Sequence, residues 1–240
     1  MGVMGFIERN RRRINKELAG TSKNYFFSAT TASLYFGLLP VIQQYAKGRL
    51  LDAGAGDLQY KALLKQFVES YESFDIEKRQ KSVDYLGDVQ DMREISSSRY
   101  DVVFCNQVLE HVSEPQKALM EFYRILKPGG VLLLAVPHLS RLHEEPQDFY
   151  RYTQYGVTHL LGRAGFNKIE TYKTGGLFSF LSHQVSTVFL SLVWNIPGVK
   201  WLAYALNKIF LVHAVIFLDR LFKTSRKFPL NIIAIGRKDE

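Results

Sequence analysis

The chain is short of everything that would staple a fold from outside. Its 240 residues hold a single cysteine, Cys105, which excludes a disulfide framework and a cysteine-based zinc site. Cys105 lies inside an apolar run and reads as a small buried side chain. The basic start, Met1–Lys16, has no long apolar stretch behind it, so no secretory signal is expected and a reducing, cytosolic setting is the default. There is no internal repeat and no low-complexity linker, and no metal site is expected. Charge is missing in one place: the 26 residues from Thr174 to Val199 contain no Asp, Glu, Lys or Arg. A glycine is missing too. Gly54 and Gly56 are followed by Gln59, where the nicotinamide fingerprint Gly-x-Gly-x-x-Gly needs its third glycine, and this argues against a nicotinamide cofactor.

What is present suits one α/β domain with additions. A hydrophobic content of 47% is ample for a core. Residues 6–19 read as a basic amphipathic helix, and 29–46 as a second helix interrupted or ended near Pro40. Strands are expected at Arg49–Ala53, Ser70–Ile76, Val83–Gly87, Tyr100–Asn106, Val131–Val136, Phe166–Tyr172 and Asn231–Gly236. The fourth has the continuous apolar centre of a strand buried on both faces. Helices are expected at Tyr60–Val68, at Pro115–Leu126, and from a Thr153 cap to Ala164 with Gly165 as its stop. This alternation predicts a doubly wound, Rossmann-like, seven-stranded, mostly parallel sheet with helices on both faces, with ligands at the carboxyl ends of its strands. Residues 177–222 break the alternation. The expected division is a basic helical segment over 1–46, a main domain over 47–176 and 229–240, and an apolar helical insertion over 177–228.

The chain is organised around Leu50–Asp57, an apolar strand end, an acid and two glycines ahead of a helix. Such a turn lets a ligand sit against bare backbone. Asp52-Ala-Gly54-Ala-Gly56 resembles motif I of the class I S-adenosylmethionine-dependent methyltransferases, type 11-like, except that the family's third glycine would fall at Leu58. Four further pieces match in order. Asp75, followed by Ile76, ends the second strand; Asp88-Val89 follows the third; Asn106-Gln107-Val-Leu-Glu-His-Val112 follows the fourth; and Leu126-Lys-Pro-Gly-Gly-Val turns into the fifth. The resemblance implies S-adenosyl-L-methionine as cofactor, held by Asp52, Gly54, Gly56, Asp75, Ile76, Asp88, Val89, Asn106 and Gln107. Asp52 would suit the cationic amino acid end of the cofactor, Asp75 the ribose hydroxyls, and Asp88 the region of the adenine amino group.

Methyl transfer from a sulfonium is an in-line displacement, so the protein mainly positions the acceptor and excludes water. A base is needed only for a protonated acceptor. His111 and His138 follow the fourth and fifth strands and are the candidate bases. The segment from His143 to Thr153 resembles one in methyltransferases of bacterial glycan and lipid pathways. Asp148, Tyr150, Arg151 and Tyr152 are its candidate acceptor contacts, the alternative being a packed loop held by an Asp148–Arg151 pair.

Net charge is +4 over residues 1–23, −1 over 24–195 and +5 over 196–240. Basic ends around an apolar insertion favour an anionic membrane surface over nucleic acid. The last strand must return to the cytosolic sheet, so the insertion crosses a bilayer twice or not at all; a helical pair lying on the inner face is preferred. The reading is a methyltransferase for a small-molecule, lipid-linked or glycan-pathway acceptor, peripheral to that face. The alternatives are an RNA methyltransferase or a non-catalytic S-adenosylmethionine-binding module.

Overall fold

The computed structural model describes residues 3–18, 21–77 and 83–240. The chain falls into two compact units. One comprises Met1–Phe36 with Lys173–Leu230, the other Gly37–Tyr172 with Asn231–Glu240. The N-terminal segment and the apolar insertion thus share a unit. Ala19, the expected end of the first helix, lies outside the described residues.

The second unit is built on a seven-stranded sheet. Its strands are β1 (Arg49–Ala53), β2 (Ser70–Asp75), β3 (Tyr85–Leu86), β4 (Tyr100–Asn106), β5 (Leu126–Pro137), β6 (Lys168–Thr174) and β7 (Asn231–Arg237). Their order is β3-β2-β1-β4-β5-β7-β6. The pairs β1–β2, β1–β4, β2–β3 and β4–β5 are parallel, while β7 runs antiparallel to β5 from Val131↔Arg237 to Pro137↔Asn231. The expected mostly parallel, doubly wound fold is therefore the fold observed.

One sheet face, carrying Leu51, Val103, Leu132 and Leu134, meets Leu119 and Phe122 of α4 (Pro115–Ile125) and Val157 and Leu161 of α5 (Gln154–Arg163). Strand alternation puts Leu50, Val102, Phe104 and Leu133 on the other face, equally buried. There the Tyr60 ring lies 5.4 Å from Phe104. Thr153 caps α5 as expected, its Oγ1 accepting the Gly156 N–H at 3.0 Å.

Three elements depart from expectation for local reasons. The helix after β1, α3, is only Lys61–Leu64, because Glu69 and Ser70 turn away to bond the Gly48 carbonyl at 2.8 and 3.2 Å and start β2. Strand β3 is two residues long because the Asp84 carboxylate takes the Ser73 N–H (2.9 Å) that a longer ladder would use, and the Ser73 hydroxyl with it (2.7 Å). Helix α2, Ala29–Tyr45, runs through Pro40 rather than ending there. Proline removes the bond to the carbonyl four residues back, that of Phe36, which is where the two units divide.

The first unit is helical. It holds α1 (Val3–Leu18), the start of α2, α6 (Leu177–Val193), α7 (Lys200–Leu206) and α8 (Ala214–Leu221), the last two joined by a π-helical stretch, Asn207–His213. Its core joins Ile14, Leu18 and Phe27 to Leu190, Trp194 and Tyr204. The N-terminus of α6 is capped from α8: the buried Asp219 accepts the N–H groups of Phe178 (3.0 Å) and Ser179 (2.9 Å) and the hydroxyl of Thr224. Two orphan amides and the helix dipole are met by one carboxylate. Asp219→Ala should lower the unfolding free energy by about 1–3 kcal/mol. Both tryptophans, Trp194 and Trp201, lie in this unit, so an earlier loss of tryptophan fluorescence on denaturation is the expected result.

Candidate active site

The carboxyl ends of β1, β2, β4 and β5 meet in register. Asp52 is opposite Ser73 on one side and Phe104 on the other, and Asn106 is opposite Ala135. The chain leaves β1 through Gly54 (φ +76°) and Gly56 (φ +50°), left-handed conformations that favour glycine. At Gly54 a Cβ would stand 2.3 Å from Val108 Cγ2, so only glycine lets the turn pass the end of β4. At Gly56 a Cβ would meet nothing within 4 Å; the backbone there faces open space. Where the family's third glycine would fall, Leu58 adopts φ +57°.

Asp75 ties this turn to β2. Its Oδ2 accepts the Gly56 N–H at 2.7 Å and its Oδ1 the Glu77 N–H at 3.0 Å. The carboxylate is buried, and each oxygen keeps one further lone pair. Asp52 is buried and accepts the Tyr71 hydroxyl at 2.7 Å. Burial, opposed by that hydrogen bond, pushes its carboxyl up to about 7. Ile76 is exposed beside Asp75, whereas Val89 is packed into the core. The Asp88 carboxylate closes its own turn on the Gln90 backbone (2.9 Å) and side-chain (2.8 Å) N–H groups. Gln107 turns off β4 at φ +55°, its N–H bonded to Ala135 O at 2.8 Å. Asn106 Oδ1 and Gln107 Nε2 are buried without hydrogen-bond partners. A strained residue and two orphaned polar atoms at a strand end are the mark of a ligand contact.

Beyond β4 the acceptor-side candidates form one hydrogen-bonded shell. His138 Nδ1 donates to Tyr152 O at 2.9 Å, leaving Nε2 as the lone-pair nitrogen. The Tyr152 hydroxyl donates to Leu109 O at 2.9 Å and that of Tyr150 to Ser113 O at 2.9 Å. The Asp148–Arg151 pair is made, bidentate at 2.6 and 2.7 Å. Arg151 also donates to the carbonyls of Ser140, Tyr150 and Arg141, which engages all five of its N–H donors. That pairing, with the His143 N–H at 2.8 Å, holds the Asp148 carboxyl well below the usual carboxylate range. Asp148 and Arg151 therefore brace the loop.

Sequence reasoning missed the residue at the centre of this shell. Glu110 follows the 3₁₀ turn's Leu109, is completely buried, and neither carboxylate oxygen has a hydrogen-bond partner. Burial pushes its carboxyl up to about 8. His111 Nε2 lies 3.8 Å and His143 Nε2 3.9 Å from its Oε1. The available signal was an acid within the apolar run Val108–Val112; His143 gave none beyond heading its motif.

Comparison with known proteins agrees with this layout. A methyltransferase-domain family matches residues 28–171. A ubiquinone biosynthesis O-methyltransferase of Pseudomonas savastanoi pv. phaseolicola is 33% identical over 72 residues, 30% of this chain and 28% of its own. A human thiol S-methyltransferase is 49% identical over 43 residues, 18% of each chain. The chain thus spans less than a third of the length of these relatives. The crystal structure of an S-adenosylmethionine-dependent methyltransferase from Archaeoglobus fulgidus superposes with a TM-score of 0.59 at 15% identity, over 95% of this chain and 99% of that one. With the family matched over more than half of this chain and the sheet order and glycine turn in place, the chain belongs to the methyltransferase-domain family.

Proposed function

We propose that this enzyme methylates a small apolar or lipid-linked acceptor while peripheral to the cytosolic face of a membrane. The observation that carries the reading is the polarity of the first unit, which is reversed. On α6 the inward residues include Ser179, Ser182, Ser186, Thr187 and Ser191 beside Leu190, each less than 9% exposed, while Leu181, Val185, Val188 and Leu192 are 42–55% exposed. A helix of a water-facing domain shows the opposite arrangement. Small polar residues inside and branched apolar residues outside are how helices pack in lipid. Along Lys200–Leu221, Asn207 is buried with Val212 and Ile216, its Nδ2 bonded to Phe27 O at 3.0 Å, while Leu202, Ile209, Phe210 and Phe217 face outward. That 22-residue stretch is long and apolar enough to cross a membrane. A single crossing would separate β7 from the sheet it completes; of the two arrangements left, two crossings or none, we take the surface one, with Lys223, Arg226 and Lys227 beside the helices for anionic headgroups. A relative named for ubiquinone biosynthesis supports an apolar acceptor.

When bound, the cofactor supplies the methyl group on a sulfonium. The turn at Gly54–Gly56 offers it bare backbone, Asp75 offers the ribose its two remaining lone pairs, and Asp52 faces the ammonium. Asn106 Oδ1 and Gln107 Nε2 find partners there. His138 Nε2 takes the acceptor proton where the acceptor carries one.

Three measurements test this. Full-length protein should co-sediment with vesicles of phosphatidylglycerol and phosphatidylcholine and transfer label from the methyl donor to a lipid extract. Phe210→Asp with Phe217→Asp should abolish sedimentation; wild-type protein remaining in the supernatant would end the membrane reading. Asp75→Ala should weaken donor binding by about 1–3 kcal/mol in calorimetry, roughly 10- to 100-fold; unchanged affinity would mean the ribose lies elsewhere. Finally, free Asp52 holds a proton below about pH 7, and a cation beside it requires it ionised. Donor affinity should therefore fall as pH drops from 8 to 6, and Asp52→Asn should flatten that slope.

A further inference from the structure

We infer that Glu110, His111 and His143 form a binding site for one divalent transition-metal ion of the zinc class. The inference is independent of the methyl-donor assignment, because it concerns atoms that the glycine turn does not touch.

Each histidine is oriented by a backbone carbonyl. His111 Nδ1 donates to Gln147 O at 2.7 Å and His143 Nδ1 faces Arg141 O at 3.2 Å. An acceptor carbonyl at Nδ1 leaves Nε2 as the lone-pair nitrogen, the usual second contact of a metal-bound histidine. Both Nε2 atoms point at Glu110 Oε1, from 3.8 and 3.9 Å. The three ligand atoms all lie within 4.8 Å of one another. The two imidazole rings meet edge to face, with centroids 4.8 Å apart.

The Glu110 carboxyl has no hydrogen-bond partner: it is 0% exposed and both oxygens are unbonded. A buried charge in that state is either neutralised or coordinated. Metal–nitrogen and metal–oxygen bonds of about 2.0–2.2 Å put tetrahedral ligands roughly 3.4 Å apart. Closing each 3.8–3.9 Å gap therefore takes about half an ångström of side-chain movement. The carboxylates of Glu144 and Asp148 and the guanidinium of Arg151 act on Glu110 from nearby. Arg151 Nη2 does approach His143 Nδ1, at 3.4 Å, but its hydrogens already go to Arg141 O and Asp148.

Two histidines and one glutamate are a borderline-hard set that suits zinc, cobalt or manganese and leaves at least one position for another ligand. The His111 and His143 side chains remain 17% and 26% exposed, so the cluster is reachable from solvent. An oxygen or sulfur of an acceptor is the chemical class that would fill it.

The test uses tag-free, chelator-treated full-length protein titrated with Co²⁺, followed by its visible absorption, and with Zn²⁺ by calorimetry. One equivalent should bind, and His143→Gln, in a partly exposed loop, should weaken binding at least ten-fold. Glu110→Gln should do the same if it folds, as judged by circular dichroism. Donor binding should be unchanged in His143→Gln, which separates this site from the donor crevice. No saturable binding below millimolar Zn²⁺ or Co²⁺ would overturn the inference, as would binding that His143→Gln leaves intact.

Discussion

A single hydrogen bond, from the Gly56 N–H to Asp75 Oδ2, sets the geometry on which the enzyme depends. It joins the turn after β1 to the end of β2, so the glycine backbone and the Asp75 carboxylate are one feature. It works only because Gly54 has no Cβ to strike Val108. The loop after β4 is thereby fixed as well: Val108 sits against Gly54, Gln107 turns, and Glu110 is carried into the interior. Donor side and acceptor side are linked through a few ångströms of packed backbone.

The two units obey opposite rules of burial. In the sheet unit, β4 and β5 bury valine and leucine, and the polar groups collect at the strand ends where chemistry occurs. In the helical unit, hydroxyls, an amide and the Asp219 carboxylate are turned inward; Ser182 bonds Leu211 O, Asn207 Phe27 O and Asp219 the α6 amides, while the Ser179, Ser186 and Ser191 hydroxyls have no hydrogen-bond partner. Beside those polar groups the same unit buries an apolar core of Ile14, Leu18, Leu190 and Trp194.

Much of this was legible in the sequence, and the reasons for success and failure are physical. The β1, β4 and β5 runs are continuous apolar stretches buried on both faces, and composition alone identifies such strands. Asp52, Gly54, Gly56 and Asp75 could be read because motif spacing reflects backbone geometry, which is local. Pro40 misled because a proline penalty of a few kcal/mol is overridden when the helix on either side is packed. The shortening of β3 could not be foreseen, since it depends on Asp84 reaching across to Ser73. The convergence of His143 on Glu110 and His111 was likewise invisible: it joins residues 33 and 32 apart through a loop whose course is set by the Asp148–Arg151 pair. The engagement of all five Arg151 donors is also a property of the folded loop.

The antiparallel pairing of β7 with β5 has a consequence for the order of assembly. Pro137 finds Asn231, and Val131 finds Arg237, across roughly a hundred residues. Those residues include all of α6, α7 and α8. During synthesis the strand that fills the sheet between β5 and β6 emerges only after the apolar helices have left the ribosome. Emergence of those helices therefore precedes closure of the sheet. A chain that never meets lipid must hold its apolar helices in water while it waits for its last strand, the interval in which aggregation competes with folding.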